Sequence, residues 1–200
     1  MSRDTIFIMA LSDSSNPRRF FVEMLETLVS SVIVILVIYS TVAFPELVVG
    51  SSMEPSFYTG ERILVEKVTK YITPFKRGDI VVLHPPGDDN IDYVKRVVGI
   101  PGDVVKIVDC RVYVKSGDQS FLYEESYLKD GVCTMGGTKI KEGRSFKIED
   151  EDYLVMGDNR EKSMDSRAFG LVSRDRILGR VVFRFWPFSK LGFVSVDSQK

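Results

Sequence analysis

Three short segments of the sequence gather polar side chains among turn-forming residues, where such side chains could do chemistry. They are residues 50–56 (GSSMEPS), 93–99 (YVKRVVG) and 157–167 (GDNREKSMDSR). Each has a plain explanation: a serine-rich turn, a strand with one lysine in water, and a solvated loop with surface ion pairs. Their chemical fit favours a second interpretation, because the first segment offers a hydroxyl nucleophile and the second offers an amine that can serve as its base.

A serine nucleophile in this chain needs a base other than histidine. The sequence contains one histidine, His84, which stands at a predicted strand end and is expected to have a structural or surface role. Lys95 has Val94 and Val97 beside it, and an apolar environment disfavours the charged form of an amine. Burial can lower a lysine pKa by several units from about 10.4, so that a neutral amine accepts a serine proton at about pH 8. The sequence is therefore compatible with a Ser–Lys dyad.

The overall composition argues against several other classes of function. Hydrophobic residues make up 44% and charged residues 28% of the chain, and the formal net charge is −1. That balance is unlike a disordered chain or a nucleic-acid binder that relies on excess positive charge. Two cysteines are too few for a miniprotein held by disulfides, and without clustered partners they form no zinc site. With no glycine-rich phosphate loop either, we predict neither a metal nor another cofactor.

An uncharged stretch from Thr27 to Pro45 predicts a transmembrane helix over residues 27–45. A helix that rises about 1.5 Å per residue needs about 20 apolar residues to cross a hydrocarbon core of roughly 30 Å. A buried core helix would show a polar stripe, whereas the polar residues here are small hydroxyls that can bond their own backbone. A cleavable signal peptide is the other alternative, since residues 41–43 (TVA) loosely fit a cleavage site. The long polar lead-in and the length of the apolar run disfavour it.

The charges that flank this span predict its orientation. Arg18 and Arg19 precede it closely, whereas the first basic residue after it is Arg62. Positive charge is enriched on the cytoplasmic side, so residues 1–26 should stay in the cytoplasm and residues 46–200 should lie on the extracytoplasmic face of the cell membrane.

An exported domain would lie in an oxidising compartment, where cysteines can pair. The sequence does not decide whether Cys110 and Cys133 do so, because their separation in space is unknown at this point.

Short β-rich runs dominate residues 46–200 and predict a mainly β fold, with an antiparallel sheet as the catalytic domain and a smaller β-hairpin insertion or second lobe around residues 104–152. Residues 80–83 (IVVL) are continuously apolar, which is typical of a strand covered on both faces. Residues 111–115 (RVYVK) alternate and should have one wet face. The predicted runs are Arg62–Val68, Asp79–Leu83, Asp92–Val98, Val104–Val108, Arg111–Lys115, Tyr153–Met156 and Arg180–Trp186.

The last predicted strand ends in an aromatic segment (FRFWPF). We expect Phe183 and Phe185 in the core. Trp186 and Phe188 are expected at the membrane interface, where aromatic side chains are enriched.

The order and spacing of these segments resemble the successive sequence boxes of bacterial type I signal peptidases. The match takes in residues 50–55 (GSSMEP), 77–81 (RGDIV), 93–103 (YVKRVVGIPGD) and 157–170, behind a single apolar span. The resemblance implies a membrane-anchored serine endopeptidase that removes signal peptides from exported preproteins after small residues at positions −3 and −1. It also implies an acyl-enzyme mechanism without a cofactor. The partners would be signal peptides and the lipid bilayer, and not nucleic acid.

The resemblance also assigns roles to individual residues. It places the nucleophile on Ser52, directly before a methionine, rather than on Ser51. It places the general base on Lys95, and it has Ser163 hydrogen-bond the lysine amine and orient it.

Further residues would support these two. Gly50 stands where some members carry a hydroxyl that serves the oxyanion hole, so the sequence resembles the glycine-bearing branch. In that branch the oxyanion hole needs a second donor besides the Ser52 N–H, and the sequence does not identify it. By the same resemblance, two acid–base pairs hold the loops and two valines wall the substrate pockets: Arg96 with Asp158, Asp165 with Arg167, and Val48 with Val94.

Two other functions remain as alternatives. The self-cleaving repressors of the SOS response share Ser–Lys chemistry, but they lack an N-terminal span and carry a DNA-binding domain, so the apolar run argues against them. A catalytically inactive, membrane-anchored β scaffold that binds exported peptides is the third interpretation. The presence of Ser52, Lys95 and Ser163 together disfavours it.

Overall fold

A long apolar helix, α1 (Pro17–Thr41), opens the part of the chain that the computed structural model describes, which is residues 17–194. By length and composition this helix is able to cross a membrane. Its small hydroxyls bond the helix's own backbone: Thr27 Oγ1 donates to the Glu23 carbonyl at 2.8 Å, and Ser31 Oγ donates to the Thr27 carbonyl at 2.7 Å. The chain divides into two compact units, of which one ends at Ser40 and the other begins at Thr41.

The bounds of α1 differ from the predicted span of residues 27–45. The helix begins earlier because charged side chains end a hydrophobic stretch without ending a helix, and because proline is well tolerated at a first helical position. It ends earlier because residues 43–45 belong to a strand. Of the predicted cytoplasmic segment, residues 1–16 lie outside the described residues.

Antiparallel strands make up most of the second unit, which confirms the mainly β fold. Within the described residues, two short α-helices interrupt them, α2 (Val68–Ile72) and α3 (Ser166–Phe169), as do two 3-10 helices (Arg174–Arg176 and Phe188–Lys190). The strands are β1 (Ala43–Leu47), β2 (Arg62–Glu66), β3 (Ile80–Leu83), β4 (Tyr93–Gly99), β5 (Val104–Val108), β6 (Arg111–Ser116), β7 (Gln119–Leu122), β8 (Ser145–Lys147), β9 (Asp152–Met156), β10 (Val172–Ser173), β11 (Ile177–Trp186) and β12 (Gly192–Phe193).

The strands form two sheets. The larger has the order β1-β2-β11-β3-β4-β9-β10, with β12 also paired to β11, and the smaller has the order β7-β6-β5-β8. The smaller sheet falls within the predicted insertion and has more than one hairpin, because residues 145–147 return to pair with β5. A disulfide between Cys110 and Cys133 ties the turn after β5 to the loop that follows β7.

The burial of individual strands follows their hydrophobic patterns in two cases and departs from them in one. All four residues of β3 are buried, whereas β6 alternates between exposed and buried positions. The expectation that Phe183 and Phe185 lie in the core is wrong, because both are only half-buried. Phe183 instead packs on the ring of Phe193 in β12, with ring centroids 5.1 Å apart. Trp186 is 45% exposed and Phe188 is 73% exposed.

The larger sheet brings the three polar segments together. β4, which carries Lys95, lies between β3 and β9. Because Arg96 pairs with Met156, the segment that follows β9 starts next to the lysine. The segment that follows β1 is anchored by Met53, which is buried in the core beneath β2 and β3.

Candidate active site

Ser52 and Lys95 lie in direct contact. The hydroxyl oxygen of Ser52 is 2.8 Å from the Lys95 Nζ. The serine sits in a turn whose next residue, Met53, is 1% exposed and fixes the turn to the core. Lys95 sits in the interior of the sheet and is 2% exposed. The structure therefore joins the two residues that the sequence motifs single out. Within residues 17–194 the Lys95 amine makes its hydrogen bonds to Ser52 and Val94, and not to Ser51.

Burial lowers the pKa of the Lys95 amine to about 8. The negative charges of Asp165 and Asp158 act in the opposite direction and offset part of this effect. Besides Ser52, the amine bonds the Val94 carbonyl at 3.0 Å, and it lies 4.9 Å from the centre of the Tyr93 ring. At an ordinary lysine pKa the amine would be almost fully protonated at neutral pH, whereas here a useful fraction is neutral and able to accept a proton.

A buried ion pair fixes β4 to the segment after β9. Arg96 donates from Nε and from one terminal nitrogen to the two carboxylate oxygens of Asp158, at 2.8 and 2.7 Å. It also donates to the Gly78 carbonyl at 3.0 Å. Two parallel bonds of this kind restrict the relative position of the two segments in more than one direction.

A second buried pair shapes the turn that ends the 157–167 segment. Arg167 donates to both carboxylate oxygens of Asp165, at 2.9 and 2.8 Å. Burial favours the neutral form of Asp165, but the bonds and charge of Arg167 outweigh it and hold the pKa of this carboxyl below its usual value. The carboxylate also accepts the backbone N–H of Gly157 at 3.1 Å, so the pair holds both ends of the segment.

Ser163 does not make the bond that the resemblance implies. Its hydroxyl is buried and makes no hydrogen bond of good geometry among residues 17–194, but it faces the Asp165 carboxylate closely enough to help lower the pKa of that carboxyl. The Lys95 amine bonds Ser52 and Val94 instead. The Ser163 side chain lies against Gly157, where a Cβ would collide with it and with the Ser52 carbonyl. A glycine at position 157 is therefore what allows the segment to approach the turn that carries Ser52.

A cleft of about 510 Å³ opens in front of the dyad. Val48 and Val94 both line it, Val48 buried and Val94 half-buried. Gly50 is at its edge with a φ of +94°, a left-handed conformation that suits glycine, and its N–H and carbonyl both bond the Thr59 hydroxyl. The remaining lining residues include Ser51, Tyr93, Lys162 and Met164.

His84 is not part of this cleft. It follows β3, and its Nδ1 lies 3.0 Å from a carboxylate oxygen of Asp92. Among residues 17–194 there is also no group of three histidine, cysteine or acidic side chains that could hold a metal ion.

The sequence reasoning assigned no role to Arg160 and Asn159, although both fall in a recognised segment. Arg160 is buried and donates to Glu125 and Thr134, which both come from the insertion, and to the Gly157 carbonyl at 3.1 Å. Asn159 donates twice to the backbone of the turn that carries Ser52. The signal available was an arginine inside the 157–167 segment, but its partners Glu125 and Thr134 are distant in sequence.

Comparison with known proteins identifies the family. The family model described as "Signal peptidase, peptidase S26" matches residues 21–186. The signal peptidase I of Bacillus licheniformis is 36% identical over 188 residues, which cover 92% of this chain and 98% of that protein. The signal peptidase IB of Staphylococcus aureus (strain MRSA252) is 38% identical over 181 residues, which cover 86% of this chain and 94% of the relative.

A crystal structure of a signal peptidase I from Enterococcus faecalis V583 is also similar, with 24% identity and a TM-score of 0.42 over 55% of this chain and 97% of its own. A TM-score this low carries no argument about the fold, so the family assignment depends on the sequence matches. Because the family model and both relatives cover most of this chain, it belongs to the signal peptidase family, peptidase S26, a family of serine endopeptidases.

Proposed function

We propose that this chain is a membrane-anchored signal peptidase that cleaves signal peptides from exported preproteins with a Ser52/Lys95 dyad. The observation that carries the proposal is the 2.8 Å contact between the Ser52 hydroxyl and a Lys95 amine that is 2% exposed. The sequence offers one histidine, and His84 is not in the cleft, so the lysine is the base within reach of the serine.

The neutral Lys95 amine removes the proton of Ser52 as the hydroxyl oxygen attacks the carbonyl carbon of the scissile peptide bond. The protonated amine then gives this proton to the leaving nitrogen, which departs as the new N-terminus and leaves an acyl group on Ser52. Lys95, neutral again, activates the water that hydrolyses this ester. The shift of the lysine pKa to about 8 supports the scheme, because the amine can hold and release a proton within the range where proteins work.

The two buried ion pairs have a supporting role in this scheme. Arg96–Asp158 holds the strand of the base against the segment after β9, and Asp165–Arg167 holds that segment in its turn. Buried ion pairs fix geometry more reliably than they add stability, because their desolvation offsets much of the attraction. We assign Ser163 a supporting role, because its side chain lies against Gly157 and its hydroxyl helps to keep the Asp165 carboxyl ionised.

The shape of the cleft supports a preference for substrates with small residues next to the cleavage site. Val48 and Val94 border the dyad, and their branched side chains leave room for a methyl group more readily than for a leucine or phenylalanine. The substrate would lie extended along β4, with its −1 and −3 side chains toward these walls.

Helix α1 would anchor the enzyme in the lipid bilayer, with residues 46–200 outside the cytoplasm. The basic residues Arg18 and Arg19 at the start of α1 support that orientation. The side chains of Trp186 and Phe188 are exposed, and their ring centroids lie 5.0 Å apart. Such a pair of aromatic rings is suited to the membrane interface.

A cleavage assay in liposomes tests the proposal. The substrate is a preprotein with alanine at positions −3 and −1, and mass spectrometry of the products reports which bond is cut. We expect one cut after the −1 alanine with the wild-type chain and none with Ser52→Ala. Cleavage by Ser52→Ala would refute the dyad, and binding without cleavage by the wild type would favour an inactive peptide-binding scaffold.

Protease treatment of intact spheroplasts tests the orientation. The protease should remove the domain after the span and leave the N-terminal segment protected, whereas protection of the C-terminal domain would refute it.

A further inference from the structure

Asn159 contacts the backbone of the nucleophile turn at two neighbouring carbonyl groups. Its side-chain Nδ2 donates to the carbonyl oxygen of Ser51 at 3.0 Å. Its backbone N–H donates to the carbonyl oxygen of Ser52, also at 3.0 Å. The Ser51 carbonyl accepts a further, longer bond from the Glu54 N–H at 3.2 Å, so it is a well-anchored acceptor.

The anchored carbonyl of Ser51 belongs to the same peptide unit as the N–H of Ser52. A peptide unit is planar and trans, so its C=O and N–H point in opposite directions and turn together. Holding the oxygen of Ser51 therefore fixes the direction of the Ser52 N–H. A bond to the oxygen also polarises the unit, which makes the N–H a stronger donor.

The Ser52 N–H itself has no hydrogen-bond acceptor within residues 17–194. It belongs to the residue whose hydroxyl attacks the substrate, and that residue lines the cleft. A backbone donor that has no protein acceptor in the described residues and is held beside the nucleophile is suited to bind the negative oxygen of the tetrahedral intermediate.

Asn159 is in turn held in place by its neighbours in the segment. Asp158 is fixed by its ion pair with Arg96, and the Lys162 N–H donates to the Asn159 carbonyl at 3.1 Å. The Gly157 carbonyl accepts from the buried Arg160 at 3.1 Å. The amide of Asn159 therefore reaches Ser51 from a rigid support, which is what a preorganised contact requires.

We propose that Asn159 is a positioning residue that aims the Ser52 N–H at the oxyanion through its side-chain bond to the Ser51 carbonyl. The inference rests on the proposed function, because it takes Ser52 as the nucleophile. The Ser52 N–H binds the oxygen more strongly once that oxygen is negatively charged. Losing its alignment should therefore slow the chemical step and leave substrate binding almost unchanged.

The test compares Asn159→Ala and Asn159→Leu with the wild type in the preprotein assay. Both variants keep the backbone N–H bond to Ser52 and lose only the side-chain donor, and leucine keeps the volume should alanine loosen the segment. We expect kcat to fall roughly 10- to 100-fold, somewhat less than the loss of a whole oxyanion donor, with KM within about 2-fold of wild type. Glu161→Gln, an exposed change in the same segment, is the control and should cleave at the wild-type rate.

Two further readouts separate positioning from general disruption of the site. The midpoint of the pH–rate profile should stay where it is in the wild type, because Asn159 does not touch Lys95. A peptide aldehyde that ends in alanine forms a hemiacetal with Ser52, whose oxygen takes the oxyanion position. Its affinity should fall by the same factor as kcat/KM in both variants.

An unchanged kcat in both variants would overturn the inference. So would a loss that appears in KM or as a shifted pH midpoint while the aldehyde binds as before. Failure of the proposed function has a different signature, because Ser52→Ala would then cleave as well as the wild type, and this result would overturn both proposals.

Discussion

The buried guanidinium of Arg160 pairs with the carboxylate of Glu125, which joins the 157–167 segment to the region of the predicted insertion, residues 104–152. The side chain of Arg160 is fully buried and that of Glu125 is 9% exposed. The same arginine donates to the Gly157 carbonyl, two residues before Asn159. Residues 104–152 therefore help to hold the 157–167 segment, although neither Ser52 nor Lys95 belongs to them.

Replacing Glu125 should destabilise the protein strongly. Glu125→Gln leaves the positive charge of Arg160 buried without its partner, which costs about 3–5 kcal/mol in comparable cases. The matched control is Glu149→Gln, which breaks the exposed pair between Glu149 and Lys147 and should cost less than about 1 kcal/mol. Urea unfolding of both variants measures the difference, and equal losses would show that the Arg160 pair has no special role in stability.

The two members of the dyad should behave as one catalytic unit. Ser52→Ala and Lys95→Ala are each expected to abolish cleavage, and the double variant should be no worse than either, because each change already removes the same proton transfer. Ser51→Ala should keep most of the activity, since Ser51 makes no bond to the lysine amine. Rates from the preprotein assay decide this, and an active Ser52→Ala with an inactive Ser51→Ala would move the nucleophile by one residue.

The cleavage rate should rise with pH as Lys95 loses its proton. The folded enzyme holds the lysine pKa at about 8, below its ordinary value, because of burial. The active, neutral form therefore increases as pH rises through about 8, and the rate should be low in mild acid. His84→Ala should leave this profile unchanged, whereas a rise centred at about 6.5 that this variant abolishes would indicate a histidine base.

The lowered pKa of Lys95 also means that its charge destabilises the folded protein at neutral pH. Below the folded pKa of about 8 the protein must keep a buried charge, and this penalty disappears as pH rises toward the unfolded value of about 10.4. At pH 7 the free energy of unfolding of Lys95→Met should therefore exceed that of the wild type by an amount on the order of 3 kcal/mol, and its melting temperature should be higher. The variant should lose all activity. The gain should shrink above pH 10, and a variant that is less stable at pH 7 would contradict the argument.

How much of the site could be predicted depended on where its contacts lie in the sequence. Ser52 and Lys95 stand in segments that resemble those of a known family, and that resemblance implied that they meet, whereas the residues alone were only compatible with a dyad. The pair between Arg160 and Glu125 could not be predicted, because Glu125 lies in an insertion where the strand pattern is weak. The absent bond between Ser163 and Lys95 shows a different limit, since a motif fixes which residues are near each other but not which rotamer or hydrogen bond they adopt.

The fold shows the same contrast between strong and weak patterns. The central strands β3 and β4 and most of β11 carry apolar runs and were predicted. The five-residue β1 and the two-residue β10 and β12 were not. Such short strands are stabilised by pairing with a neighbour rather than by a pattern of their own. Phe183 packs on Phe193 of β12 rather than in the core, which is why it is half-buried. No local sequence pattern predicts β12 or this contact.

Val94 should control the choice of residue upstream of the cut. Its half-buried side chain packs against the core that includes Val48 and Val82, and it lines the cleft next to Lys95. If it closes a shallow pocket, a larger substrate side chain must displace packed groups or move the scissile carbonyl away from Ser52. A misplacement of about 1 Å can cost roughly 10²-fold in rate, so discrimination should appear mainly in turnover.

Val94→Ala should therefore relax the preference at position −3, and to a smaller extent at −1. The control is Val104→Ala, which removes the same atoms from a half-buried position in the smaller sheet that does not line the cleft. A set of preproteins with alanine, valine, leucine or phenylalanine at each position, analysed by product mass, measures the change. Unchanged preferences in Val94→Ala would mean that Val94 is not a pocket wall, and a wild-type enzyme that cuts equally well after leucine or phenylalanine would contradict the assignment of small-residue specificity itself.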